Sequence, residues 1–135
     1  MNKTVLITGA SSGIGEGCAR KFASQGARII LNARNAQKLE ALALELKEKY
    51  NSECYVLPFD VCDRNAAIES LESLPNEWKS IDILINNAGL AVGVDKEHEG
   101  SLDEWDVVID TNVKALLSMT RLVVPGMVER GRGHI

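Results

Sequence analysis

Three glycines near the start of the chain have the spacing of a phosphate-binding turn. Gly9, Gly13 and Gly15 follow an apolar run that ends at Thr8, and a helical pattern begins at Gly13. We expect Gly9 to permit a tight exit from a strand, Gly13 to let the backbone approach a ligand, and Gly15 to let the helix pack against the strand. Free N–H groups and the positive end of the helix dipole would then face an anion, normally a pyrophosphate. The alternative is a tight turn without a ligand, but the flanking strand and helix favour the binding site.

The residues after the second apolar run predict which dinucleotide binds. A site that prefers NAD usually has a carboxylate there, which accepts hydrogen bonds from the ribose 2′-hydroxyl. This chain has Asn32-Ala33-Arg34-Asn35 instead, with no acidic residue and one arginine. Because a guanidinium can hold a 2′-phosphate with paired, charge-assisted bonds, Arg34 predicts NADP as the cofactor. The alternative is that Arg34 is a solvated residue at the entrance of a helix.

Four apolar runs alternate with helical patterns along the chain, and they define the elements that would position these residues. We predict buried strands over residues 4–8, 28–32, 54–59 and 81–85. Strands that alternate with helices at this spacing indicate right-handed βαβ units and a parallel sheet. The predicted fold is therefore a doubly wound α/β sheet, with residues 1–135 in one domain.

The helices between these strands are predicted from their apolar stripes and caps. The first is expected to bury Ile14, Cys18 and Phe22 and to end at Gly26, and Asp63 is a plausible N-cap for the third. Residues 90–100 are predicted to be a loop over a site. A long helical region then begins at Ser101, which has capping-box spacing to Glu104. We expect this region to be buried on two sides, against the sheet and against a partner subunit or further chain, by residues Val113, Leu116, Leu117, Met119, Leu122, Val123, Val124 and Met127.

Composition excludes several classes of protein. The 135 residues carry a net charge of −4, with 45% apolar and 25% charged residues, as in ordinary soluble globular proteins. The acidic balance argues against binding to nucleic acid or to an anionic membrane surface. No signal peptide or membrane span is recognisable, so the cytoplasm is the expected location. The three cysteines have neither disulfide-framework nor zinc-site spacing, and no metal site is predicted.

Four ordered motifs resemble those of the classical short-chain dehydrogenase/reductase family. They are Thr8-Gly9-Ala10-Ser11-Ser12-Gly13-Ile14-Gly15, Asp60-Val61, Asn86-Asn87-Ala88-Gly89 and Thr111-Asn112-Val113. The resemblance implies a Rossmann-type sheet, truncated here before or within its fifth strand, in the amino-terminal portion of an oxidoreductase. The intact enzyme is expected to be a tetramer. By the same resemblance Asn112 belongs to the catalytic tetrad, and the cofactor site comprises Gly9, Ser11, Ser12, Gly13, Ile14, Gly15, Arg34, Asp60, Val61, Asn87, Ala88 and Gly89.

Two further stretches narrow the resemblance. Residues 87–91 and 122–130 look like those of NADP-dependent 3-hydroxy acid dehydrogenases, which implies a small substrate such as serine. The implied reaction is hydride transfer between NADP(H) and a hydroxyl or carbonyl carbon.

Several motif residues also have structural interpretations. Asp60 follows a parallel strand, at the edge where open α/β sheets bind ligands, but it could instead cap the next helix. Asn86 and Asn87 end a buried strand and need hydrogen-bond partners, so they could brace the structure. Asn112 is a poor helix former that packing alone does not require, although it could face solvent.

Most of the implied catalytic set is missing from these residues. The family uses a serine after the fifth strand and a Tyr-x-x-x-Lys motif beyond it, where the tyrosine exchanges a proton and needs a lowered pKa. Here Tyr50 and Tyr55 are followed four residues later by Cys54 and Phe59, so only Asn112 of the tetrad is present. We therefore expect the 135-residue chain to be catalytically incomplete. Two alternatives stay open at this point: a non-catalytic NADP-binding or regulatory module, and an assembly fragment.

Overall fold

The computed structural model describes residues 1–135 and contains a four-stranded parallel sheet. The strands are β1 (Thr4–Ile7), β2 (Arg28–Leu31), β3 (Cys54–Val56) and β4 (Ile83–Ile85). Their order in the sheet is β3-β2-β1-β4, so the chain runs outward from β1 through β2 to β3 and then crosses to β4 on the other side of β1. This order confirms the predicted doubly wound α/β fold. The predicted strands 54–59 and 81–85 are shorter in the structure.

Five α-helices flank the sheet: α1 (Gly13–Ser24), α2 (Ala36–Tyr50), α3 (Arg64–Glu72), α4 (Leu102–Ile109) and α5 (Leu116–Arg130). A π-helical segment, Asp110–Ala115, joins α4 to α5. The predicted caps are confirmed, since Asp63 accepts a hydrogen bond from the N–H of Ala66 and Ser101 accepts one from that of Glu104. The predicted loop 90–100 contains only the short 3₁₀ turn Glu97–Glu99. No helix combines the length and the apolar character needed to cross a membrane.

The strands are apolar without alternation because both faces of the sheet are covered. Val5 and Ile7 face one core with α1 and α2, while Leu6 and Leu84 face a second core with α3 and α5. Successive strand residues point to opposite faces, so a strand buried on both sides needs an apolar residue at every position.

The apolar stripe predicted for α1 is only partly buried. Ile14 is 79% exposed, and the helix instead buries Gly15, Ala19 and Ala23. Cys18 and Phe22 are partly buried beside the core. The reason is the short distance between this helix and the turn after β1, which only small side chains permit.

Burial on two sides of the last helical region is not found in this chain. One stripe of this region is buried. Its residues follow one another at intervals of four: Thr111, Ala115, Met119, Val123 and Met127. Other apolar residues predicted to be buried are largely exposed: Val113 by 45%, Leu116 by 40% and Leu117 by 61%. The predicted contact of this exposed side with a partner subunit or with further chain stays a prediction.

The last residues of the chain lie beside β4. His134 forms a parallel bridge with Ile83, in which its N–H donates to the oxygen of Asp82 at 3.0 Å and its carbonyl accepts from Leu84 at 2.9 Å. This position continues the sheet order beyond β4, as predicted for the start of a fifth strand.

Candidate functional site

A cleft of about 1100 Å³ opens where the four strands end. Most of its wall is built from the residues that follow each strand: Gly9 and 11–14 after β1, 32–35 after β2, 59–62 after β3 and 87–90 after β4. Parallel strands bring their carboxyl ends to one edge of the sheet, which is where open α/β sheets bind ligands.

Eleven of the thirteen predicted site residues line this cleft, and the exceptions are Gly15 and Asn112. Gly15 lies behind the turn, and Asn112 borders a neighbouring apolar pocket with Leu90 and Trp105. Sequence reasoning missed the other ten lining residues, which are Asn32, Ala33, Asn35, Lys38, Phe59, Cys62, Leu90, Val107, Asp110 and Thr111. Some of them, such as Thr111 and the neighbours of Arg34 between residues 32 and 35, stand in stretches that the sequence had singled out, whereas Lys38 had no such signal.

The glycine turn is shaped by close backbone contacts. Gly9 has a φ of +65°, and a Cβ there would lie 2.9 Å from the Cα of Ala88. A Cβ on Gly15 would lie 2.2 Å from the carbonyl oxygen of Gly9, so α1 packs directly on the turn, as expected. Gly13, with a φ of +55°, has open space where its side chain would be.

The N-terminus of α1 has free donors beside this turn. Ser12 is the N-cap residue, but its side chain makes no capping hydrogen bond. The first N–H groups of a helix have no partner within the helix, and the dipole adds positive charge there. This end of the cleft is therefore suited to an anion.

Asn87 clamps the glycine turn to the end of β4. Its Nδ2 donates to the carbonyl oxygens of Thr8 at 3.1 Å and Gly9 at 3.0 Å. In return, the Thr8 hydroxyl accepts from the backbone N–H groups of Asn87 and Ala88. Asn86 donates to the hydroxyl of Thr120 on α5 at 3.0 Å. Both asparagines thus brace the structure, and Asn87 does so while lining the cleft.

Two cationic side chains and the buried side-chain amide of Asn32 lie close to the end of β2. Arg34 and Lys38 are both exposed and line the cleft, and neither forms an ion pair with a carboxylate. Asn32 is only 1% exposed and donates to the carbonyl oxygens of Leu57 and Phe59. Its Oδ1 is buried without a partner.

Asp60 shapes the turn after β3 and does not cap α3. Its Oδ1 accepts from the N–H of Cys62 at 2.9 Å, whereas Asp63 is the residue that caps the helix. The capping interpretation of Asp60 was therefore wrong. The thiol of Cys62 lies 3.2 Å from the hydroxyl of Thr111, which ties this turn to the π-helical segment.

Asn112 fixes the loop that follows β4. Although the residue is exposed, its Oδ1 accepts from the N–H of Leu90 at 2.9 Å and its Nδ2 donates to the oxygen of Leu90 at 2.7 Å. Asn112 stands in the π-helical segment, a type of helical bulge that is frequent at functional sites. The side chain is thus engaged with the backbone of Leu90.

The family profile described as short chain dehydrogenase matches residues 3–135. The chain belongs to the short-chain dehydrogenase family. Its four motifs lie in the turn after β1, after β3, after β4 and in the π-helical segment, and its sheet is the Rossmann-type sheet that they imply.

Individual members of the short-chain dehydrogenase family are similar to this chain over nearly its whole length. The NADP-dependent 3-hydroxy acid dehydrogenase YdfG of Escherichia coli (strain K12) is 48% identical over 131 residues, which are 97% of this chain and 51% of that protein. Serine 3-dehydrogenase of Agrobacterium fabrum is 39% identical over 96% of this chain and 51% of its own length. A solved structure, the closed form of serine dehydrogenase complexed with NADP+, superimposes with a TM-score of 0.89 at 48% identity, over 98% of this chain and 52% of that one. The chain thus spans about half the length of the relatives it matches.

Proposed function

We propose that the cleft binds NADP(H) and that the chain is the nucleotide-binding, amino-terminal portion of an NADP-dependent oxidoreductase. One observation carries the proposal. The cleft joins the uncapped N-terminus of α1 to Arg34 at the end of β2, and no carboxylate stands between residues 32 and 35. The open space at Gly13 leaves room for a diphosphate against the backbone. Relatives named as NADP-dependent support the same cofactor.

The proposed roles follow the walls of the cleft. Residues 9–15 would hold the diphosphate through backbone N–H groups, and Arg34 would pair with the 2′-phosphate. Asp60 and Val61 would lie beside the adenine, as the family resemblance implies, and Asn87, Ala88 and Gly89 would line the cofactor. Bound NADP(H) would supply or accept the hydride.

We further propose a small 3-hydroxy acid such as serine as the substrate of the whole enzyme. The support is the names of the relatives, 3-hydroxy acid dehydrogenase and serine 3-dehydrogenase. Asn112 is the proposed catalytic residue of this chain. Because these residues contain no Tyr-x-x-x-Lys motif, we expect them to lack turnover by themselves. The alternative proposal is a non-catalytic NADP-binding or assembly module.

We also propose that the exposed apolar face of the last helical region is a subunit interface of the intact enzyme, which we expect to be a tetramer. The apolar face consists of Val113, Leu116 and Leu117. Contiguous exposed apolar residues on a helix are typical of an interaction surface.

Calorimetric titration of the 135-residue chain with NADPH and with NADH tests the cofactor. We expect tighter binding of NADPH, and Arg34→Ala to weaken it by about tenfold or more, since a hydrogen bond to a charged group contributes about 1.5–3 kcal/mol. Arg121→Ala, an exposed arginine on α5 that does not line the cleft, is the matched control.

Equal affinity for the two dinucleotides would contradict the proposal. Turnover of serine with NADP+ by this exact polypeptide would separately contradict its catalytic incompleteness. If the gene encodes a fifth strand, a serine and Tyr-x-x-x-Lys after residue 135, the oxidoreductase is favoured over the non-catalytic module.

A further inference from the structure

The wall of the cleft after β2 carries two cations. Arg34 stands in the connection between β2 and α2, and Lys38 stands in the first turn of α2. The position of Lys38 is set by the helix cap, because its backbone N–H donates to the side chain of Asn35 at 3.2 Å. Both cationic side chains are exposed and line the same cleft.

These two charges are not neutralised within the protein. Four basic residues, Arg20, Arg28, Lys114 and Arg132, form ion pairs with carboxylates. Arg34 and Lys38 form none, and the first turn of α2 contains no acidic residue. A cation is unfavourable at a helix N-terminus, since the dipole is positive there. An anion at this wall would remove the repulsion among all three positive groups.

The carboxylates of the cleft are already engaged elsewhere. Asp60 accepts a hydrogen bond from Cys62 in the turn after β3, and Asp110 pairs with Lys114 at 3.0 Å. Neither acidic side chain forms an ion pair with Arg34 or Lys38.

We propose that Lys38 is a second ligand of the ribose 2′-phosphate and helps to set the preference for NADP over NAD. This inference rests on the proposed NADP function. A phosphate monoester carries a charge of about −1.5 to −2 at pH 7, so one arginine does not neutralise it. Arg34 offers a planar pair of donors, whereas Lys38 adds a mobile point charge on the adjacent turn. Together with the N-terminus of α2 they surround one phosphate.

The test compares NADPH and NADH binding by the 135-residue chain and its Lys38→Met variant, which keeps the length of the side chain and removes its charge. We expect the affinity for NADPH to fall by about fivefold. A loss of this size lies between the loss expected for an exposed ion pair and the loss expected for a charge-assisted hydrogen bond. NADH affinity should not change, and this result also shows that the variant is folded. Lys49→Met, an exposed lysine on the same helix outside the cleft, is the control and should bind both dinucleotides as the wild type does.

Two further measurements identify the phosphate that Lys38 contacts. The affinity for 2′,5′-ADP should fall in Lys38→Met, whereas the affinity for 5′-AMP should not change. Inorganic phosphate should compete only weakly with NADH, and to the same extent in the wild type and in Lys38→Met. If Arg34 and Lys38 bind the same phosphate, the double variant should differ from the sum of the single variants.

The outcomes separate this inference from the function on which it rests. If the wild type prefers NADPH and Lys38→Met keeps that preference in full, only the role of Lys38 is overturned. An equal loss of NADPH and NADH affinity also overturns it, because the effect would not involve the 2′-phosphate. If the wild type binds both dinucleotides equally, the NADP function fails and the role of Lys38 fails with it.

Discussion

Replacing Gly15 with alanine tests whether the close packing of α1 on the glycine turn is required for the cleft. A Cβ at this position would lie 2.2 Å from the oxygen of Gly9 and 2.5 Å from Nδ2 of Asn87. Real Cβ atoms essentially never come within 3.0 Å of such atoms. The neighbouring group at the first contact is backbone, so the helix or the turn must move.

The expected magnitude follows from these contacts. Forcing an extra methyl group into a packed position costs about 1–3 kcal/mol. The movement also disturbs the two hydrogen bonds from Asn87 to Thr8 and Gly9, each contributing about 1 kcal/mol. The greater helix propensity of alanine offsets up to about 1 kcal/mol of this loss. We therefore expect Gly15→Ala to lower the free energy of unfolding by about 2–4 kcal/mol and to weaken NADPH binding.

Urea unfolding followed by circular dichroism measures this difference, and Gly17→Ala is the matched control. Gly17 lies in the same helix, but its Cβ would meet nothing within 4 Å. Alanine there should stabilise the chain by about 0.5–1 kcal/mol through helix propensity alone. If Gly15→Ala is as stable as Gly17→Ala and binds NADPH normally, the close approach does not hold the cleft in shape and the reasoning is refuted.

Two other perturbations examine the edge of β4 and the exposed helix face. Burial by itself would raise the pKa of Asp82, but the hydrogen bond from Thr4 and the ion pair with Arg132 outweigh it, so its pKa is lowered. The stability from Asp82 is therefore present above the unfolded pKa of about 3.9 and is lost as pH falls through the lower folded pKa. Asp82→Asn should destabilise the chain at pH 7 and flatten this acid-side decline of the unfolding free energy in urea titrations. An unchanged pH profile would contradict the stabilising role of the Asp82 carboxylate. On the exposed apolar face, Leu117→Lys should reduce self-association measured by sedimentation velocity. The control is Leu44→Lys, because Leu44 on α2 is equally exposed, and it should not reduce self-association. A monomeric wild type would count against the proposed interface.

Local patterns predicted the elements correctly because a strand covered on both faces must be apolar at every position. The four strands, the helix caps at Asp63 and Ser101, and the loop 90–100 were all found where the sequence indicated them. The faces of the helices were harder to predict. The most apolar stripe of α1 includes Ile14, yet the helix fully buries only Gly15, Ala19 and Ala23, because the distance between helix and turn decides which side chains fit.

The sequence by itself therefore determined the order of the elements, the glycine turn and the absence of a carboxylate after β2, since each depends on neighbouring residues. Only the tertiary structure decided which side chains share the cleft. Thr111 and Cys62 are 49 residues apart and are in contact, and Asn112 binds the backbone of Leu90, 22 residues away. Such contacts arise because a parallel sheet brings the ends of all its strands to one edge, whatever their separation along the chain. For the same reason Lys38 gains significance only once α2 is seen to begin beside Arg34 at that edge.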